Sequence, residues 1–201
     1  MLIDLSVELN EKTPIYPGDP ETKISSAGVL ERDGYRDHYV CIGTHVGTHM
    51  DAPSHMIAGG KNLDELPLDH FSGSGVYIKT GKTIDLATVQ KAPINPDDIV
   101  LLHTGMSDVY HDKTYYDDYP AIPEDVARYL VEKKVKIVGV DMCSVDHPPF
   151  PVHKILLGGD VLIIENLTNL GALQGKAFTI YAFSIKLQID GAPVRVVAEV
   201  S

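Results

Sequence analysis

Residues 44–55 read Thr-His-Val-Gly-Thr-His-Met-Asp-Ala-Pro-Ser-His, and a regular helix or strand does not easily accommodate that run. Three histidines and an aspartate fall between His45 and His55, interrupted by Gly47 and Pro53. In an extended chain His45, His49, Asp51 and His55 would point to one face. At about 3.3 Å per residue, a flat strand would hold His45 and His49 roughly 13 Å apart. Metal bonds of about 2.0–2.2 Å require donors much closer together. The chain must therefore bend between them. Gly47 is best able to take the bend because it tolerates positive φ, and a helical turn placing the histidines at i and i+4 is the alternative. Side chains of these types hold a first-row metal and move protons beside it. The plainer alternative is a polar loop, or histidines satisfied by hydrogen bonds in the core. Two histidines and a carboxylate suit zinc hydrolases and equally the iron facial triad of oxygenases.

The rest of the chain limits what such a cluster could serve. A length of 201 residues fits one domain, 1–201, with a core of its own. Hydrophobic residues make up 44% and charged residues 22%, the balance of a globular protein. Asp and Glu total 28 against 17 Lys and Arg, a net charge of −11 that repels phosphate backbones and anionic lipid heads. A small-molecule substrate is expected, with no nucleic acid and no membrane as partner. Cys41 and Cys143 form no CxxC pair and read as two reduced core thiols. The opening Met-Leu-Ile-Asp-Leu has no basic region and no long apolar run follows, so a cytoplasmic enzyme is expected.

Strand-like runs, short and rich in β-branched or apolar residues, are Leu2–Leu9, His38–Gly43, Gly75–Lys79, Ile99–His103, Val135–Val140, Val161–Ile164, Phe178–Lys186 and Val194–Val200. Helical spacing predicts one helix over Pro123–Lys133, with shorter ones over Leu86–Lys91, capped by Asp85, and His153–Leu157. This is not the strict alternation of a doubly wound sheet. The expected class is α/β: a single domain with a mixed, strand-rich sheet and few helices. The segments Glu11–Pro20, Met106–Pro120 and His147–Val152 read as loops, where site residues usually sit. Tyr110, Tyr115 and Tyr116 in the second loop are expected to be ordinary surface residues, with a place in an aromatic pocket as the other reading.

A second chemically loaded stretch runs from Val138 to Leu167. Glu165 closes the apolar run Val161–Ile164, where an ionised carboxylate is costly to bury without a partner. A metal would supply that partner; an exposed strand end would need none. His153 follows a Pro-rich loop and carries no local signal of its own.

Together these motifs resemble the cyclase family of metal-dependent hydrolases, which includes bacterial kynurenine formamidase and isatin hydrolase. The resemblance rests on His45-x-Gly-Thr-His-x-Asp-x-Pro-x-His55, Gly139-Val-Asp-x-x-Ser-Val-Asp146, His153, Glu165-Asn-Leu167 and, upstream, Pro14-Ile-Tyr-Pro-Gly-Asp19. It implies a fold similar to the swivelling β/β/α cyclase fold and a homo-oligomer, a homodimer or homotetramer. It implies that His45, His49 and Asp51 bind one divalent metal ion, and that Asp51 and Glu165 bridge to a second held also by His153. Two Zn2+ per subunit are the expected cofactors, with Mn2+ as the other choice. His55 would be the catalytic acid and base. The implied reaction is that of an arylformamidase in tryptophan catabolism: N-formyl-L-kynurenine and water give L-kynurenine and formate through a metal-activated water. Where the family's formamidases carry tryptophan this chain has Tyr16, the candidate substrate-binding residue, which offers less stacking area and adds a hydroxyl. A cyclic amide or lactone, as in an isatin hydrolase, is the alternative substrate. A non-catalytic metal- or ligand-binding protein and an iron oxygenase are the alternatives of other classes; the oxygenase leaves His153 and Glu165 without a role. No Gly-x-Ser-x-Gly elbow offers a serine nucleophile.

Overall fold

The computed structural model describes residues 1–200. Eleven strands are present: β1 (Leu2–Asp4), β2 (Lys23–Gly28), β3 (Asp37–Cys41), β4 (His49–Asp51), β5 (Ser72–Lys79), β6 (Ile99–His103), β7 (Ile137–Val140), β8 (Leu162–Glu165), β9 (Phe178–Tyr181), β10 (Gly191–Pro193) and β11 (Val197–Val200). The helices are α1 (Leu30–Asp33), α2 (Leu86–Gln90), α3 (Glu124–Glu132) and α4 (Pro151–Gly158), with short 3-10 turns between elements. Nine strands form one sheet in the order β1-β11-β9-β5-β6-β7-β8-β4-β10. Its centre, β5-β6-β7-β8, is parallel, and every other pairing is antiparallel. This is the mixed α/β architecture that the short strands and few helices imply.

The parallel strands explain their own sequence. Ile99-Val-Leu-Leu sends Ile99 and Leu101 to one apolar cluster and Val100 and Leu102 to the other. A strand buried on both faces reads as an unbroken apolar run. One cluster lies under the helices, where Val126, Ala127 and Leu130 of α3 turn inward while Glu124 and Arg128 pair on the outside. The other lies inside the curl of the sheet, between Leu101, Ile137 and Ile164 and the antiparallel strands carrying Ile180 and Ala198. The α2 cap forms as expected, with Asp85 accepting from the Thr88 backbone N–H at 2.9 Å.

Three sequence expectations need correction. The runs Leu2–Leu9 and Phe178–Lys186 are strands only over Leu2–Asp4 and Phe178–Tyr181, because the registers with β11 and β5 end there. Cys41 is not a core thiol: it lies exposed at the end of β3, and only Cys143 is buried. Tyr110 and Tyr115 are not surface residues; both are buried in the core under the helices. The strands β2, β4 and β10, absent from the sequence reading, are polar or only three residues long. No helix among the described residues is long and apolar enough to cross a membrane.

Candidate metal centre

The bend in the histidine run occurs at Gly47, whose φ is +61°, and no helical turn is involved. The chain turns there, enters β4 at His49, and leaves it at Asp51 for a 3-10 turn over Pro53–His55. The turn brings the His45 and His49 rings edge to face, with centroids 5.2 Å apart. Strand pairing does the rest. His49 sits opposite Glu165 in the antiparallel register of β4 with β8, so residues distant in sequence become cross-strand neighbours. His153 arrives from the first turn of α4.

Two groups of donor atoms result, and Asp51 belongs to both. Its Oδ1 lies 2.7 Å from His45 Nδ1 and 3.4 Å from His49 Nε2. Its Oδ2 lies 3.7 Å from His153 Nε2, which is 3.4 Å from Glu165 Oε1. Glu165 Oε2 returns to His49 Nε2 at 3.4 Å. His55 is also within ligand reach of Asp51 and His153. The structure thus brings His45, His49, Asp51, His153, Glu165 and His55 together around one cavity.

The donor set suits a divalent cation. His49, Asp51, His153 and Glu165 are all at most 5% exposed, a dense buried collection of titratable groups. Asp51 Oδ2 is buried without a hydrogen-bond partner, an uncompensated acceptor that a cation would satisfy. The histidine nitrogens that face away are already engaged. His49 Nδ1 donates to the Gly47 carbonyl at 2.9 Å, and His153 Nδ1 donates to Asp146 Oδ1 at 2.6 Å. Such outward hydrogen bonds fix which nitrogen a ligating imidazole presents inward. His45, His49 and Asp51 could therefore hold a cation, with His153 and Glu165 grouped on the other side of Asp51.

The electrostatics agree. Burial opposes charge on His45, yet its hydrogen bonds and attraction to Asp51 and Asp190 raise it to about 9. Burial likewise opposes charge on His153, and Asp146, Glu165 and Asp51 raise it to about 10. Burial would push Asp51 and Glu165 up, but the surrounding histidines hold both below the usual carboxylate range. These are sites where positive charge is strongly favoured.

The cavity has a volume of about 370 Å³. Its outer wall includes Tyr16, Met56, Tyr116 and Phe150. Tyr16 packs edge-on against Tyr116 at 5.7 Å, and its hydroxyl lies 3.4 Å from that of Tyr119. Tyr116 therefore takes the pocket role, while Tyr115 lies behind it and donates from its hydroxyl to Asn166 Oδ1 at 2.8 Å.

Two residues without an expected role belong to the site. Asp146, seen in sequence only as part of a motif, accepts from the Val152 and His153 backbone N–H groups at the start of α4 as well as from the His153 ring. Asp190 accepts from His45 Nε2 at 2.9 Å and from His55 Nδ1 at 3.1 Å through the same oxygen, Oδ2. It is carried there by β10, which pairs with β4, and the next residue must be glycine. A Cβ on Gly191 would stand 2.6 Å from His45 Cε1. In sequence Asp190-Gly191 reads as an ordinary turn, and nothing local marks it.

A curled mixed sheet with a shared carboxylate between two His/carboxylate groups on its inner strands defines a cyclase-type fold with a candidate metal centre. The chain belongs to the Cyclase family, whose model, described as "Putative cyclase", matches residues 3–147. Among its relatives, the uncharacterized protein MJ0783 of Methanocaldococcus jannaschii is 33% identical over 187 residues, covering 91% of each chain. The kynurenine formamidase of Geobacillus thermodenitrificans is 28% identical over 200 residues, covering 96% of this chain and 94% of that one. Similar solved structures include a potential metal-dependent hydrolase with cyclase activity, with a TM-score of 0.82 at 28% identity over 98% of this chain and 96% of that one. Isatin hydrolase A from Labrenzia aggregata shares the fold, with a TM-score of 0.87 at 23% identity over 98% and 93% of the two chains.

Proposed function

We propose that the protein is a metal-dependent hydrolase of a small aryl amide, with N-formyl-L-kynurenine as the first substrate to test. The observation that carries the reading is Asp51, one carboxylate shared by two groups of histidine and carboxylate donors at the floor of an aromatic-walled cavity. Kynurenine formamidases at 28% identity over nearly the whole chain support the amide as the bond cleaved. His45, His49 and Asp51 would hold one divalent cation, and Asp51, His153 and Glu165 a second, zinc before manganese for so histidine-rich a set. When bound, such ions lower the pKa of a water toward about 7 and polarise a carbonyl.

The chain's own residues supply the remainder. His55 lies beside the cluster, with Nδ1 held by Asp190 and Nε2 free to take a proton from water and return it to the leaving nitrogen. Tyr16, Tyr116 and Phe150 stack on or flank an aryl group and exclude water from it. One feature favours a second substrate class, a cyclic amide or lactone. No Lys or Arg lies among the described residues lining the cavity, so this chain offers no fixed cation for the carboxylate of an amino-acid substrate.

Metal analysis of the purified protein, followed by turnover of N-formylkynurenine, isatin and simple lactones, tests the reading. Two equivalents of zinc or manganese and activity on the formamide are expected. Activity confined to isatin or a lactone moves the protein to the second class, and metal without turnover of any of them would reduce it to a binding protein. We also infer a homo-oligomer. The β2–β3 hairpin pairs only within itself, and Tyr35, Tyr39 and Val40 on it are 59%, 71% and 57% exposed, an arm whose exposed rings and valine suit a second copy of the chain. Light scattering on the eluting protein reads the mass directly; a monomer would remove this inference.

A further inference from the structure

The Asp190 carboxylate touches two imidazoles through one oxygen, and ionised carboxylates only accept hydrogen bonds. Each nitrogen facing it must therefore carry a proton. For His45 that nitrogen is Nε2; its Nδ1 meets the Asp51 carboxylate at 2.7 Å, so by the same rule both ring nitrogens carry protons until a cation takes the place of the one on Nδ1. For His55 it is Nδ1, which leaves Nε2 as the nitrogen with an open lone pair. The two rings lie nearly stacked, with centroids 4.0 Å apart and planes tilted by 36°, so the same oxygen also fixes their mutual orientation. The backbone of Asp190 has a separate duty, accepting from the Ala52 N–H at 2.8 Å, so the side chain can be removed without cutting the strand's own hydrogen bond.

We propose that Asp190 is a positioning residue that sets the tautomer of His55 while holding the ring of His45, tying the geometry of a metal ligand to that of the proton carrier. This rests on the hydrolase reading for the two histidines' roles, but not for the His55 tautomer itself. A neutral histidine in water prefers its proton on Nε2, which on His55 would block the nitrogen that must accept one. Removing the acceptor at residue 190 should let His55 return to that form. The arrangement follows the same logic as a catalytic base oriented by a buried acid, with the acid also reaching a metal ligand.

The test is long-range proton–nitrogen NMR of the zinc-loaded, histidine-labelled protein, with His55→Ala used to assign the His55 signals. In the wild type His55 is expected to carry its proton on Nδ1, and in Asp190→Ala on Nε2, at unchanged zinc content. A wild-type His55 already protonated on Nε2, or a tautomer unmoved by Asp190→Ala, would overturn the proposal. Loss of zinc from Asp190→Ala at saturating metal would assign the residue to the ligand alone and overturn it as well. If the alanine variant does not fold, Asp190→Asn replaces it. A neutral acceptor holds the Nδ1 proton less firmly, so the Nε2 form must rise above its wild-type population. On an active substrate, Asp190→Ala should lower kcat by about 10- to 100-fold at near-constant KM and add nothing to the loss in His55→Ala. Failure of the whole substrate panel would defeat the hydrolase reading while leaving the spectra to judge Asp190.

Discussion

The floor and the wall of the cavity are built differently. On the floor, His49, Asp51 and Glu165 stand on hydrogen-bonded strands, and their spacing is set by the register of β4 with β8. On the wall, Tyr16 and Tyr116 come from segments between regular elements, and Phe150 stands just before α4 with φ at +61°. The floor is held by backbone pairing and by an outward hydrogen bond on each of His45, His49 and His153. The wall is held by ring contacts and one long hydroxyl contact. Strands hold donors to the fractions of an ångström that bond chemistry needs, whereas loops can change their side chains without disturbing that frame. On the proposed function, the sheet carries the chemistry and the loops carry the choice of substrate.

This division can be broken experimentally, beginning at the floor. His49→Ala should lose metal and with it turnover, by about 10³-fold or more. Unchanged metal content by elemental analysis would sink the ligand assignment. His55→Ala should keep its metal and lose turnover by roughly 10²-fold or more, since it removes a proton carrier and not a ligand. An active, metal-loaded variant would take His55 out of that role.

Two tests probe the frame that holds the floor. His45 and His153 are raised to about 9 and about 10, above the ordinary 6.5. The stability they lend to chelator-stripped protein is therefore complete below pH 6.5 and lost as pH climbs through 9 to 10. Zinc binding strengthens over the same interval because ligands must lose their protons. The melting temperature of stripped protein should fall from near-neutral to alkaline pH while its gap from zinc-loaded protein widens; a constant gap would contradict this. Gly47→Ala meets no closer contact than 3.6 Å, so its cost is that of a left-handed backbone, about 1–2 kcal/mol in denaturant unfolding. The wall should yield the smallest change. Tyr16→Ala is expected to raise KM about tenfold, the worth of part of an aromatic ring, with kcat and metal content unchanged. A loss of metal in that variant would dissolve the distinction between wall and floor.

The sequence conveyed the floor better than the wall. Ile99–His103 was legible to the residue because a strand buried on both faces must be apolar throughout. The bend at Gly47 was legible because donor atoms cannot otherwise meet. His153 and Glu165 gained a role only from resemblance, since no local pattern reveals that β8 will pair with β4. Asp190 escaped altogether: its function depends on a three-residue strand whose partner lies far back in the chain. The buried Tyr115 reads as a surface residue because turn residues around it, Asp112, Asp117 and Asp118, dominate the segment's composition. What holds it inside is a long-range bond from its hydroxyl to Asn166, a weaker one from the Cys143 thiol to its carbonyl, and the packing of neighbouring rings.

The position of β4, between β8 and β10, also fixes when in folding the centre can exist. His49 and Glu165 meet across a loop of more than a hundred residues, and Asp190 joins from further still. Contacts of that separation are slow to form, because the entropy of closing the loop is spent before any contact repays it. The clustered motif from His45 to His55 emerges early in synthesis with four of the site's side chains, yet it has no carboxylate opposite it until β8 has docked. The centre is a product of the finished sheet, assembled near the end of folding.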